Sequence, residues 1–292
     1  MTVYSHTMRL KDAPRIPFEH FLLSRKIAEG GDGSQIYRGI NQRDQRHVVV
    51  KMHERDQGLY DEAYIHSQFD HPNIVKGYDF GVGLFDDRQV EYLELEDAKN
   101  GTLESSPPDT TITTLRYLVE TARALEHVHD KGYVHNDGKE TNIFLQQADT
   151  HSSVRLGDFG HTTDVAYTPL DISPGTEGYR APQQIQGILI PQNDIFTLGG
   201  IIAYRLATGY EPFPALETLE SGTTGLIVPP TPQPFRNVLG ENMTVYDEVI
   251  EESVHWALYA KSGKTAGAYI DRLTEGYQRA RETKVKDKKT IL

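Results

Sequence analysis

The chain has 292 residues, 37% of them hydrophobic, enough for a core, and on a prior of roughly 150 residues per domain its length suits two folding units. Its 42 acidic against 30 basic side chains give a formal charge of −12, which argues against a nucleic-acid partner because phosphate backbones demand concentrated positive charge. The absence of cysteine excludes disulfides and thiolate zinc sites, no apolar run approaches the roughly 20 residues of a membrane span, and Met1-Thr-Val-Tyr-Ser-His6 lacks a signal peptide's charged and apolar regions, so the expectation is a cytoplasmic protein without a membrane partner.

Residues 1–16 read as a lead-in, since Asp12-Ala-Pro14-Arg-Ile-Pro17 breaks regular structure. Strands are expected to dominate from there to residue 97. Ile27-Ala-Glu-Gly30-Gly31-Asp-Gly33-Ser34-Gln-Ile36 reads as strand, glycine-rich turn and strand, and His47-Val-Val-Val-Lys51 is a β-branched run ending in a lysine. A helix is expected over Leu59 to Phe69, with Glu62, Ile65 and Phe69 on one face. From Thr111 to about His129, apolar residues at Leu115, Leu118, Val119, Ala122, Leu125 and Val128 recur at helical steps. Asn193 to Thr208 is a further expected helix, with Ile195, Leu198, Ile202 and Leu206 on its buried side. Clustered Gly and Pro make Gly222 to Pro234 a loop, and Tyr246 to Ala260 and Ala266 to Arg281 read as closing helices. The last residues, 278–292, are mostly basic and read as a solvated tail, with a docking segment for an acidic partner or for the chain's own acidic surface as the alternative.

Between the two helical regions lies Tyr133-Val-His-Asn-Asp137-Gly-Lys139-Glu-Thr-Asn142-Ile-Phe-Leu, followed by Leu156-Gly-Asp158-Phe-Gly160. Phosphoryl transfer from ATP needs divalent metal on the phosphates, a cation on the transferring oxygens and a carboxylate aiming the accepting hydroxyl. Asp137 supplies the carboxylate, and Lys139, two residues on and on the same side of an extended loop, supplies the cation. Asn142 and Asp158 carry the hard oxygen donors that Mg2+ prefers.

This arrangement resembles the H-R-D-L-K-x-x-N loop and the D-F-G motif of eukaryotic-type protein kinases. Further motifs follow in the family's order, over roughly residues 20 to 270. The glycine-rich turn resembles the hairpin over ATP phosphates: counting back from Ile36 makes Gly31 central, whereas counting from Ile27 selects Gly30 and Gly33 and needs an extra residue. The run to Lys51 resembles the V-A-I-K strand, and Glu62, ten residues before Pro72, falls where the family's ion-pair glutamate does. Gly175-Thr176-Glu-Gly178-Tyr-Arg-Ala181-Pro182-Gln183 resembles the end of an activation segment, and Asp194-Ile-Phe-Thr-Leu-Gly199 a buried helix start whose Asp braces the catalytic loop.

The resemblance implies an α+β, bilobal fold: an N-lobe over 17–97, with an antiparallel sheet and one main helix, and a mostly helical C-lobe over 98–277. It implies a Lys51–Glu62 pair, with Lys51 holding ATP; an adenine slot of Ile36, Val49, Leu95 and Phe144, with Leu95 as gatekeeper; and adenine hydrogen bonds from the backbone of Glu96 and Ala98. Asp137, Lys139, Lys51 and Glu62 are then the catalytic set, Asn142 and Asp158 the Mg2+ ligands, and ATP the cofactor. These polar side chains are implied to converge beneath the triphosphate. Lys139 two after Asp137, and Thr176, favour Ser/Thr hydroxyls of protein substrates; a small-molecule kinase of related fold and a pseudokinase scaffold are the alternative readings.

Four departures from the family pattern stand out. The arginine of H-R-D is Asn136, so a phosphate on the activation segment has lost its usual grip, and activity is expected not to depend on phosphorylation of Thr162, Thr163, Thr168 or Ser173. The A-P-E glutamate is Gln183 and its late arginine is matched by Lys264, at most a single charged hydrogen bond. Val49 stands for the alanine of V-A-I-K, and His66 for an apolar residue one turn after Glu62.

Overall fold

The computed structural model describes residues 20–30, 33–54, 58–148, 151–165, 173–213, 231–260 and 263–290. The backbone contacts divide into two compact units: residues up to Asp70 with Val75–Asp97, and His71–Ile74 with Ala98 onward.

The first unit is a five-stranded antiparallel sheet in the order β1-β2-β3-β5-β4, formed by Phe21–Glu29, Gln35–Asn41, Arg46–Glu54, Gly77–Phe85 (β4) and Arg88–Glu96 (β5). Alternation along a strand sends successive side chains to opposite faces. Val48, Val50, Met52, Val90 and Tyr92 therefore join Phe21 in one buried cluster, while the intervening residues serve the other face. That second face carries the predicted residues: Ile36 pairs with Lys51 across β2–β3, and Val49 with Leu95 across β3–β5. Leu93 and Leu95 on this face pack with Leu59 and Ala63 of the helix Leu59–His66. The helix is three residues shorter than its predicted span and buries Leu59, Glu62, Ala63 and His66 rather than the 62/65/69 face. His66 ends the last turn with its ring Nε2 2.6 Å from the Val75 carbonyl, a local hydrogen bond that an apolar residue would not make.

In the second unit, the long helix Thr111–Asp130 starts where the sequence places it, because Thr110 caps it by accepting the Thr113 N–H. It packs against Ala266–Thr290, which in turn packs on Val245–Tyr259. The expected helix from Asn193 to Thr208 is present but not uniform: Pro191–Ile195 and Ala203–Thr208 are α-helical and the turns between them, Phe196–Ile202, are π-helical. It is buried all round from Asn193 to Tyr204 rather than along one stripe. Gly199 and Gly200 permit this, since a Cβ at Gly199 would meet Ala257 Cβ at 2.6 Å, and one at Gly200 would run into Leu258. The last helix continues to Thr290, nine residues past the predicted Arg281 and through much of the expected tail. Lys and Arg are good helix formers, and cations at a helix C-terminus face the negative end of its dipole. Residues 1–16, Gly222 to Pro230 and the last two residues lie outside the described residues.

Candidate active site

Lys51 comes from the central strand β3 and Glu62 from the adjoining helix of the same unit. Lys51 Nζ lies 2.7 Å from Glu62 Oε2, with both side chains nearly buried, so the two charges meet in a poorly solvated place where each needs the other. At the glycine-rich turn, β1 and β2 pair up to Glu29↔Gln35, leaving Gly30 to Ser34 as the connection. Gly30 N–H donates to the Ser34 carbonyl at 2.8 Å, and Gly33 N–H to Gly30 at 3.0 Å with φ +84, a conformation glycine takes at little cost. Gly31 lies outside the described residues. The Glu96 N–H donates to the Lys76 carbonyl at 2.8 Å.

The second unit gathers the remaining polar residues. Asp137 follows Tyr133–Val134 in an extended loop, and its side chain is 1% exposed. Lys139 Nζ reaches Asp137 Oδ2 at 2.8 Å, and Thr176 Oγ1 donates to Asp137 Oδ1 at 2.6 Å. Lys139 also donates to Thr176 at 2.8 Å, closing a triangle around the carboxylate. Asn142 gives its amide nitrogen to the Asp137 carbonyl at 2.9 Å and to Asp137 Oδ2 at 3.0 Å, which leaves its oxygen as the atom suited to a cation. Burial alone would raise the Asp137 pKa, yet the hydrogen bonds from Lys139 and Thr176 and the ammonium's charge together hold it below the ordinary carboxyl value, so the group is an anion at neutral pH.

Asp158 is tied to this loop through its neighbours. Gly157 N–H donates to the Asn142 carbonyl at 3.0 Å, and His135 Nε2 lies 3.2 Å from the Gly157 carbonyl. His135 Nδ1 accepts the Asp137 N–H at 3.3 Å, so the ring carries its proton on Nε2 and spans both segments. Phe159, fully buried, meets the same ring edge-on at 5.2 Å. Asp158 itself has φ +61, a left-handed conformation that Asp tolerates better than most residues and that persists only where neighbours fix it.

Buried Asp194 braces the loop from below. It accepts the His135 and Asn136 N–H groups, each at 2.9 Å, and lies 2.8 Å from His129 Nε2. Burial works against its ionisation, but these donors and the neighbouring histidines pull its pKa below the ordinary value.

The family model described as the protein kinase domain matches residues 21–232. The chain belongs to the protein kinase family. Among its relatives, "Serine/threonine-protein kinase PknA" of Mycobacterium tuberculosis is 29% identical over 231 residues, 73% of this chain and 52% of that protein. "Serine/threonine-protein kinase PknL" of the same organism is 30% identical over 214 residues, 66% of this chain and 50% of its own length. "Probable serine/threonine-protein kinase 2" of Plasmodium falciparum is 28% identical over 202 residues, 66% of this chain and 38% of that protein. The chain therefore spans about half the length of the curated relatives it matches.

Within this kinase fold the predicted site residues fall into two groups, one in each unit: Lys51, Glu62, Ile36, Val49, Leu95 and Glu96 in the first, and Asp137, Lys139, Asn142, Phe144, Asp158 and Ala98 in the second. Phe144 sits on the strand Ile143–Ala148 and bridges Thr102. The expected pairing of Gln183 with Lys264 is not made. Gln183 is exposed, and Lys264 Nζ donates instead to the Leu258 carbonyl at 3.2 Å, with burial lowering its pKa. The half-buried ammonium is directed at a nearby carbonyl instead of a distant amide.

Two groupings had no signal in the sequence. Glu140 accepts the Tyr179 hydroxyl at 2.6 Å and the Arg205 guanidinium at 3.0 Å, so a charge next to Lys139 is neutralised internally. Gln184, beside the residue singled out, is the buried one of its pair. No periodicity separates adjacent glutamines on a four-residue helix.

Proposed function

We propose that this chain is an ATP-dependent Ser/Thr protein kinase whose activity does not require phosphorylation of its activation segment. The observation that carries the reading is the ionised Asp137, held on one oxygen by Thr176 and on the other by Lys139. Asp137 accepts the hydrogen bond of the substrate hydroxyl and aims its oxygen, which raises the share of productive encounters. Lys139 adds positive charge where negative charge accumulates on the transferred group. Lys51, paired with Glu62, suits the nucleotide's phosphates, and the amide oxygen of Asn142 and the carboxylate of Asp158 suit a hard divalent cation. ATP and Mg2+ together supply the phosphoryl group and screen its charge.

Phosphate independence is supported by the residue in the arginine position. Asn136 Nδ2 makes neutral contacts at 3.1 Å with the Val134 and His161 carbonyls and with Thr163 Oγ1, joining the loop to the activation segment. Among the relevant hydroxyls, Thr168 lies outside the described residues.

The test is incubation with labelled ATP, Mg2+ and a generic basic protein or peptide library, before and after phosphatase treatment, followed by phosphosite identification. Label on Ser and Thr at an unchanged rate is the expected result. A tenfold or greater loss after phosphatase would overturn the independence. Label on small metabolites alone, or on nothing, would replace the protein-kinase reading with a metabolite kinase or a binding scaffold. The Asp158→Ala variant should be inactive in the same assay.

A further inference from the structure

The geometry points to Gln184 as a positioning residue that sets the register between Asp137 and Thr176, a claim that rests on the reading of Asp137 as the hydroxyl acceptor. Gln184 is 1% exposed, and its amide is matched to its surroundings group by group. Nε2 donates to the Asn136 carbonyl at 2.6 Å and to the Pro174 carbonyl at 2.9 Å, while Oε1 accepts the Ala181 N–H at 3.2 Å. Two acceptors face the nitrogen and one donor faces the oxygen, so the opposite amide orientation would set oxygen against two carbonyl oxygens. Ser173 Oγ adds a bond to the Gln184 carbonyl at 2.5 Å.

The two acceptors are what make this arrangement functional. The Asn136 carbonyl belongs to the same peptide plane as the Asp137 N–H, because the peptide unit is rigid. Gln184 holds one edge of that plane and the His135 ring the other. The preceding plane is fixed by Asp194 through the Asn136 N–H. The Pro174 carbonyl likewise shares a plane with the Gly175 N–H, which donates to His161 Nδ1 at 3.3 Å. Thr176, the residue whose hydroxyl touches Asp137, follows directly.

One side chain thus grips the backbone just before each partner of the Asp137–Thr176 contact. The approach is so close that Gly175, at φ +98, has no room for a Cβ: one would lie 2.7 Å from Gln184 Nε2 and run into the Asn136 carbonyl. Every bond that the Gln184 amide makes joins neutral groups. Gln184 therefore holds the backbone ahead of the hydroxyl acceptor with no charge of its own, and Asn136 at φ +65, a conformation asparagine accepts, presents its carbonyl to it.

The test compares Gln184→Met, which keeps length and loses all polar atoms, with Gln184→Glu, which keeps the acceptor for Ala181 and loses both donated hydrogens. Both variants should lower kcat for a peptide substrate about tenfold while the KM for ATP stays within twofold, and in both the amides of Asn136, Asp137 and Gly175 should exchange hydrogen at least tenfold faster than in the parent chain. Full kcat in Gln184→Glu would overturn the proposal, since packing and the Ala181 bond would then suffice. Unchanged amide exchange in either folded variant would overturn it independently of activity. If the parent chain itself transfers no phosphate, the kinase reading fails, and amide exchange still decides the clamp.

Discussion

The first unit holds Lys51 with an opposite charge, whereas the second holds the backbone ahead of Asp137 with the neutral amide of Gln184 as well as the carboxylate of Asp194. Lys51 and Glu62 are both ionic and nearly buried, so the pair persists only while both charges are present. Around Asn136 the groups being positioned are peptide planes, held on one side by the neutral Gln184 amide and on the other by the Asp194 carboxylate. The difference follows from what is being fixed: a nearly buried ammonium needs an opposite charge beside it, whereas a peptide carbonyl can be held by a neutral donor. Asp194 lies between the two cases, a charge used to bind backbone N–H groups.

The largest expected effect lies in the second unit, at the group its amides serve. Asp137→Asn keeps the shape and removes the anion, and the transfer rate should fall by at least about 100-fold; a rate within tenfold of the parent would show that the neutral framework, not the charge, matters there. In the first unit, Glu62→Ala removes the carboxylate 2.7 Å from a buried ammonium and should cost about 3 kcal/mol in denaturant unfolding. The neutral counterpart, Asn136→Ala, should cost about 1–2 kcal/mol. Equal costs would dissolve the contrast.

Acid sharpens it further. Asp194 has a folded pKa below its ordinary value of 3.8, so its contribution to stability is complete above that value and is lost as pH falls through the lower folded pKa. The parent chain should therefore lose more stability between pH 7 and pH 3 than Asp194→Asn does, measured as the shift in urea midpoint. The smallest effect is expected from Gln183→Glu. With Gln183 exposed and Lys264 directed at the Leu258 carbonyl, restoring the family's glutamate should change stability by no more than about 0.5 kcal/mol. A gain above about 1 kcal/mol would mean that the two do pair in solution.

The reach of the sequence can be judged residue by residue. Asp137, Lys139 and Asn142 are close in the chain, and a short extended loop leaves their side chains few ways not to meet. Strand β3 was legible for a similar reason, since His47-Val-Val-Val-Lys51 declares both its conformation and, by alternation, its faces. The helix carrying Glu62 was overextended because Ser67 and Gln68 close it with local hydrogen bonds that apolar spacing does not report. The Pro191–Thr208 segment was legible as a helix but not as one buried all round, because the space around Gly199 and Gly200 is filled by Ala257, Leu258 and Tyr269 from remote helices.

What the sequence determined by itself was the family, the order of its motifs and the chemical character of the side chains they carry, all of which are written in short-range spacing. Which glutamine of Gln183 and Gln184 is buried, which carbonyl Lys264 finds and what replaces the missing arginine were settled only when the chain folded back on itself. Gln184 and Asn136 are 48 residues apart, and a hydrogen bond of 2.6 Å across that separation depends on the direction and closeness of two backbones, which no local pattern of residues encodes.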